Sequence, residues 1–450
     1  MTTPAAFNHS PTSGPLIRLP VEIEERLSRF DGVARVGRVL AVTGTVIRAE
    51  LPDVRIGEVC RVKRPGQGDL DVEVVGFDRS GVLLMALGTL EGIEANAPVL
   101  PVGKVHTTPC GPEVRGRVLD ALGTPMDDKG SLGIEERAPL TAAPPHPLRR
   151  KRIKCTLSTG VRAIDGCLTI GRGQRIGIFA AAGVGKSSLL SMIARNVEAD
   201  LIVLALVGER GREVAGFIDD DLGALGLHRA AVVVSTSDQP ALLRLKAAHT
   251  AMAIAEGARS RGQNVVLLMD SVTRFARALR EVGLAAGEPP GRQGYPASVF
   301  AELPKLFERA GTDGAGSITA FFTVLVAGDD LEEPVADETM GLLDGHILLS
   351  RQLASRGHYP AIDIVRSKSR VMNDVVTPEH AASASKAVRV VATYERNYDK
   401  ISCNAYEAGT DPEVDEAIER IGGVEAFLRQ QRTEATPLEE SALRLRDAVG

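Results

Sequence analysis

Residues 180 to 187 read Ala-Ala-Ala-Gly-Val-Gly-Lys-Ser. They fall where an apolar run over 174–179 meets a helical pattern that begins at Lys186, so the chain must pass from a strand through a glycine-bearing loop into a helix. That junction is a phosphate-binding loop. Glycines at 183 and 185 let backbone N–H groups close around a polyphosphate, Lys186 reaches its outer phosphates, and the Ser187 hydroxyl is a ready Mg²⁺ ligand. Ala180 stands where the pattern G-x-x-x-x-G-K-[ST] has its first glycine, a tolerable exchange if φ there is negative. An ordinary strand-to-helix turn with an incidental lysine is the competing reading, and the strand before and helix after disfavour it. The chain is read as binding a nucleoside triphosphate.

The 450 residues suffice for two or three domains, and 44% hydrophobic with 25% charged is ordinary for a globular protein. A net charge of −5 argues against a chain whose main task is to coat nucleic acid. Cys60, Cys110, Cys155, Cys167 and Cys403 are scattered, odd in number and without C-x-x-C spacing, so neither a disulfide framework nor a zinc site is indicated and a reducing cytoplasm fits. The eight histidines form no metal-binding cluster, so any metal is expected to arrive with the nucleotide. The first fifteen residues lack the basic start and apolar core of a signal peptide. The longest apolar stretch, 318–327, has about half the length a bilayer crossing needs, so membrane contact should be peripheral.

Four zones are expected. Residues 1–30 are a mobile tail with a short helix over 21–30, better suited to packing on its own domain than to anchoring in a membrane. Over 31–102, short β-rich runs at close spacing read as a small closed barrel. Residues 103–372 hold a Pro/Gly-rich connector with the basic run 149–152, read as a solvated loop or subunit contact. Beyond it, near-continuous apolar strands alternate with helices over 186–196, 212–222, 240–259 and 271–281. This pattern makes an α/β P-loop domain with a mostly parallel sheet covered on both faces. Residues 373–450 form a helical bundle whose helices start at Thr377-Pro378, at Asp411-Pro412 and at a capping box Thr436-x-x-Glu439.

Phosphoanhydride hydrolysis needs a metal, a positioned water and positive charge against the transferring phosphate. Asp270 ends the strand 264–269, where a carboxylate can hold Mg²⁺ opposite Ser187; a helix N-cap is its plainer role. Glu209 ends the preceding strand in Val-Gly-Glu-Arg-Gly-Arg-Glu, placed to polarise water, while Arg210 and Arg212 organise phosphate or neighbouring charge and Glu213 opens the next helix.

The segments GRGQRIGIFAAAGVGKSSLL, LVGERGREVAGFIDDDLG, LLMDSVTRFARALREVGLAAGEPPGRQGYPASVF, GSITAFFTVLV and HYPAIDIVRSKSRVMN together resemble the ATPase of bacterial type III secretion systems, a family related to rotary ATPase subunits. The likeness runs from about residue 30 to 440. It implies an Mg-dependent ATPase with Glu209 as catalytic base. Lys186 and Arg210 are catalytic, and the ATP-binding loop is Ala182, Gly183, Val184, Gly185, Lys186, Ser187 and Ser188. Ser187 and Asp270 serve the metal, Tyr359 stacks on the adenine, and Arg370 is the finger offered to the nucleotide of the next subunit. A chain with both a pocket and a finger completes its site only in a head-to-tail ring, so a homohexamer is implied, with 287–294 resembling a pore loop.

By the same resemblance its partners are a stator-like regulatory subunit, a central coiled-coil stalk, chaperone–effector complexes and the export gate, at the cytoplasmic face of the inner membrane. Ala181 and Ile364-Val365-Arg366-Ser367 look more like the injectisome form than the flagellar export ATPase. An RNA-translocating hexameric terminator would need basic and aromatic residues on its barrel, which here has only Phe30 and Phe77, so no nucleic-acid partner is expected. A non-catalytic rotary subunit is disfavoured by Lys186, Glu209 and Asp270 occurring together.

Overall fold

The computed structural model describes residues 35–133 and 136–450. The tail and the helix expected over 21–30 lie outside that range. Six antiparallel strands, β1 (Gly37–Thr43), β2 (Val46–Glu50), β3 (Glu58–Val62), β4 (Leu70–Asp78), β5 (Gly81–Ala86) and β6 (Pro98–Val105), close a barrel in the order β1-β2-β5-β4-β3-β6. Alternation decides its inside: Leu70, Val72 and Val74 of β4 join Val39, Ile47, Val62, Leu84 and Val99 in the barrel core, while Glu73 between them points out. β1 and β2 form a hairpin, turned at Gly44 with φ 58°.

The central sheet holds β7 (Arg117–Leu119), β8 (Arg175–Ala180), β9 (Leu201–Glu209), β10 (Ala230–Thr236), β11 (Asn264–Asp270), β12 (Ser317–Leu325), β13 (Gly345–Leu349) and β14 (Lys368–Ser369). Their spatial order is β14-β13-β8-β12-β11-β9-β10-β7, with the short segment Gly311–Thr312 also on β12. Pairings from β13 to β7 are parallel; β14 runs antiparallel to β13. Helices α1 (Lys186–Asn196), α2 (Ala241–Ser260) and α3 (Val272–Ala285) follow β8, β10 and β11.

Because both faces are covered, successive residues of one strand feed two cores. Ile202, Leu204 and Leu206 pack with α1, and Val203, Ala205 and Val207 pack with α2 and α3. The last helices, α4 (Pro378–Ser402), α5 (Pro412–Leu428) and α6 (Leu438–Val449), share the core of α1 through Val390, Val424, Phe427 and Leu445.

Three local expectations need correction. The helix read over 212–222 breaks into Gly211–Gly216, a widened π-helical turn Phe217–Leu222 and Gly223–His228, the turn carrying three consecutive aspartates that are poor helix formers. Helix α6 begins at Leu438 behind Pro437, without the capping box. Thr436 is instead buried, its N–H donating to the Gly160 carbonyl at 3.2 Å and its hydroxyl accepting from Arg162 at 3.4 Å, so tertiary partners displace the local cap. The basic run 149–152 is not simply solvated: Arg150 donates to the Ala310 carbonyl (2.8 Å) and pairs with Glu308 (3.0 Å). Thr377 and Asp411 cap α4 and α5 as expected, accepting from His380 (3.3 Å) and Glu413 (2.9 Å).

The barrel is seated on the sheet domain by an apolar patch of Val46, Leu83, Met85 and Leu242 and by one buried ion pair, Glu73 of β4 with Lys246 of α2 (2.6 Å). Burial raises the Glu73 carboxyl despite the lysine, and burial together with Lys246 lowers the neighbouring His106 to about 4. Removing one partner of such a pair strands the other, so Lys246→Met should cost about 3 kcal/mol at neutral pH. Glu73 would then bind a proton in the folded state that the unfolded chain releases, so stability should fall as pH rises. Thermal melts of both proteins at about pH 5 and about pH 8 check this: the deficit should be larger at the higher pH, and an equal deficit at both would refute it.

Candidate active site

Strand β8 ends at Ala180, and after a five-residue loop α1 begins at Lys186, as the sequence predicts. Gly183 (φ 81°) and Gly185 (φ 94°) take the left-handed conformation. At Gly183 a side chain would meet nothing within 4 Å, so the backbone angle rather than space demands glycine there. Ala180 is the buried last residue of β8 and is not among the residues with positive φ, which is why alanine serves. No side chain caps α1, so its first N–H groups are left for a ligand, and an anion is what helix N-termini of this kind hold.

Three charged groups converge beyond the carboxyl ends of neighbouring strands. Lys186 donates to Asp270 at the end of β11 and lies 3.8 Å from Glu209 at the end of β9. All three side chains are largely buried. Glu209 is aimed by a bulge: the β9–β10 register shifts between Val207 and Glu209, at Gly208 with φ 73°. A Cβ at Gly208 would come within 2.8 Å of Arg274, so close approach as well as φ requires glycine. Burial foremost, then the Asp270 charge, raises the Glu209 carboxyl above its ordinary value, while Lys186 and Arg274 oppose the shift. A carboxylate so raised accepts a proton more readily than an exposed one.

Two contacts were not foreseen from the sequence. Arg274, in the first turn of α3, donates to Glu209 at 3.2 Å, and the Thr323 hydroxyl of β12 donates to Asp270 at 2.8 Å. Thr323 had only a weak signal, as one of three buried hydroxyl residues, with Ser317 and Thr319, in a mainly apolar strand. Arg210, expected beside Glu209 in a catalytic role, does not join the cluster within this chain. It precedes the helix Gly211–Gly216, its side chain is 74% exposed, and it faces Glu213 at 3.4 Å.

Tyr359 stands over the loop, its ring 3.6 Å from where a Gly185 side chain would be. Ser188, Leu189, Met192, Tyr359, Pro360 and the segment 429–434 line a cleft of about 730 Å³ beside Gly185, a size suited to a nucleoside. One wall comes from the stretch between α5 and α6, held by Gln430 N–H to the Tyr359 carbonyl (2.9 Å) and by the Gln430 amide to the Gly160 carbonyl (2.8 Å). Ser187 is the second residue of α1, so a hydroxyl and the Asp270 carboxylate offer the hard oxygen ligands Mg²⁺ takes.

Arg370 is not brought to this cluster. Ser369 pairs with Gly345 at the start of β13, and the Arg370 N–H donates to the Asp344 carbonyl at 3.0 Å. It therefore sits level with the first residue of β8, about 16 Å along the strands and about 10 Å across them from the phosphate loop, farther than an arginine side chain reaches.

The nucleotide-binding domain of the ATP synthase alpha/beta family matches residues 160–369, and the T3SS EscN ATPase C-terminal domain matches residues 376–447. The type 3 secretion system ATPase of Sinorhizobium fredii is 46% identical over 442 residues, 98% of each chain. The flagellum-specific ATP synthase of Bacillus subtilis is 48% identical, over 93% of this chain and 96% of its own. The assembled EscN of enteropathogenic E. coli superposes with a TM-score of 0.87 at 44% identity, covering 92% of this chain and all of that one; EscN in complex with its central stalk EscO gives 0.85. Such likeness over nearly the whole length leaves one conclusion: the chain is an ATPase and belongs to the family of type 3 secretion system ATPases and flagellum-specific ATP synthases.

Proposed function

We propose that this chain hydrolyses Mg-ATP at the interfaces of a homohexameric ring, and that hydrolysis energises protein export by a bacterial type III secretion system through chaperone release and substrate unfolding. The observation that carries the reading is the split between Glu209, Lys186 and Asp270 at one end of the sheet and Arg370 at the other. A head-to-tail ring brings the two ends together, each copy lending its arginine to the next. That EscN has been solved assembled, and with a central stalk, supports the ring and an equivalent stalk here.

In this reading the N–H groups of Ala182 to Gly185 and the first turn of α1, with Ser188, cradle the phosphates, and Tyr359 stacks on the base. Mg²⁺, held through Ser187 and Asp270, supplies charge neutralisation along the phosphate chain. Lys186 turns from Asp270 toward the outer phosphate. Glu209 takes a proton from the attacking water as its oxygen bonds to phosphorus and the bond to the ADP oxygen breaks. Arg370 of the neighbouring copy meets the charge that develops.

A stator-like regulatory subunit, chaperone–effector complexes and the export gate complete the proposed partners, at the cytoplasmic face of the inner membrane. No helix among the described residues is long and apolar enough to cross a membrane. The loop 287–294 is the proposed pore lining. Protein rather than nucleic acid as cargo is supported by the barrel surface, where Arg38, Arg48, Arg61 and Lys63 are each paired with a carboxylate. Flagellar relatives are as similar as injectisome ones, at 44–49% against 44–46% identity. The injectisome assignment therefore rests on Ala181 and on residues 364–367.

Steady-state hydrolysis measured against protein concentration, with light scattering, tests the ring. Specific activity should rise cooperatively as hexamers form, and both Glu209→Gln and Arg370→Ala should lose about 10³-fold or more. Activity independent of concentration and of Arg370 would instead mean a self-contained site. The rate should also rise with pH through a limb above the usual carboxylate range, because only ionised Glu209 accepts the proton. Arg274→Met removes a charge that favours the ionised form, so the limb should move to higher pH; an unmoved limb would show that Arg274 does not tune Glu209.

A further inference from the structure

We infer that Gln174 is a positioning residue for Arg370, and that it ties each subunit's phosphate-loop strand to the arginine offered to its neighbour; this rests on Arg370 acting in trans. Strand β14, which ends directly before the arginine, has only two residues and two partners on β13, Gly345 and His346. So short a ladder does not fix its own place. Side chains hold it instead. The amide of Gln174, a residue wholly buried just before β8, donates to the Ser369 hydroxyl (3.1 Å) and to the Asp344 carbonyl (3.0 Å). That same carbonyl accepts the Arg370 N–H.

Both donors of the amide are thereby spent beside the arginine, one on the hydroxyl of the residue directly before it and one on a backbone carbonyl across the sheet edge. Its oxygen accepts from Gly171 N–H (2.9 Å), so the side chain is fully partnered, as a buried amide must be. Asp344 is in turn fixed by a bidentate fork from Arg175, the first residue of β8, at 3.0 Å on both arms. Ser369 passes the bond on to the Thr169 carbonyl at 2.9 Å. The register of Arg370 is therefore referred to the start of β8, whose other end opens into the phosphate loop. A shift of that strand on nucleotide binding or release moves the arginine of the same chain, and so the site next door.

Gln174→Met keeps length and shape and removes both donors. Rings of this variant should bind ATP with a KM within about twofold of wild type and lose about tenfold or more in kcat, the split expected when only a transition-state contact is lost. The decisive measurement mixes subunits before assembly. Gln174→Met has its own base and a displaced arginine, and Glu209→Gln has the reverse. Mixed rings should therefore recover activity well above either parent, up to about a quarter of wild type, since half the bases meet half the arginines.

Arg370→Ala mixed with Glu209→Gln is the control. If the control recovers and the Gln174→Met mixture does not, Gln174 serves its own phosphate loop and the inference is overturned. If the control itself fails to recover, the arginine does not act in trans, and the proposed ring mechanism falls with it. Wild-type kcat in Gln174→Met would also overturn the inference. Ser369→Ala cuts the same link from the other side while leaving the Gly171 bond, and it carries the mixing test should Gln174→Met fail to fold.

Discussion

One ammonium group holds the working end of the sheet together. Parallel strands β9 and β11 are neighbours, and both end in a carboxylate. Left alone, Glu209 and Asp270 would repel one another in a place with little water. Lys186 stands between them, bonded to one and 3.8 Å from the other, and two opposite charges about 4 Å apart attract by about 4 kcal/mol at an intermediate dielectric. Arg274 adds a second positive charge on the side of Glu209, and Thr323 takes up an oxygen of Asp270. The arrangement keeps Glu209 short of full stabilisation as an anion, since burial and Asp270 outweigh the two cations. A carboxylate fully stabilised as an anion would gain little from taking a proton, so in the proposed role of Glu209 as base the incomplete compensation is the useful property.

The sheet also separates two tasks by its length. Its carboxyl ends carry the phosphate loop and the two acids, as parallel sheets covered on both faces place their ligands. Its amino ends carry Asp344, Arg175, Gln174 and the segment that bears Arg370. The strand β8 spans both. Since Phe179, Ile178 and Ile176 are almost wholly buried between two cores, that strand moves as a rigid element rather than bending locally.

What could be read from the sequence follows from which physical signals are local. The bounds of α1 were legible because a glycine in the left-handed region must precede it and its own residues carry a helical period. Glu209 and Asp270 were legible because an acid closing an apolar strand is placed by the strand itself. Arg274 was not. It is four residues from Asp270 in sequence but bonds to Glu209, which only the β9–β11 pairing and the bulge at Gly208 bring near. Arg210 shows the converse: adjacency to Glu209 suggested a shared task, whereas within this chain its guanidinium is exposed and faces Glu213. Thr436 carried a sound local capping pattern that lost to Gly160 and Arg162, partners more than 270 residues away.

The same long-range ties give the C-terminal helices a place in the site. Arg162 donates to the carbonyls of Phe427 and Arg429 and pairs with Glu434, and its N–H donates to Gln430 at 2.8 Å. A guanidinium so enclosed cannot release these partners singly without leaving buried donors unmet. The segment 429–434 therefore belongs mechanically to the nucleotide-binding core, although it lies between α5 and α6. It also forms a wall of the cleft beside Tyr359. A force applied to α5 or α6 is thus felt first at this wall of the cleft, through Gln430, and only afterwards at Lys186. Opening the wall at Gln430 would therefore change the cleft beside Tyr359 before it disturbed the end of the sheet where Glu209 and Asp270 sit.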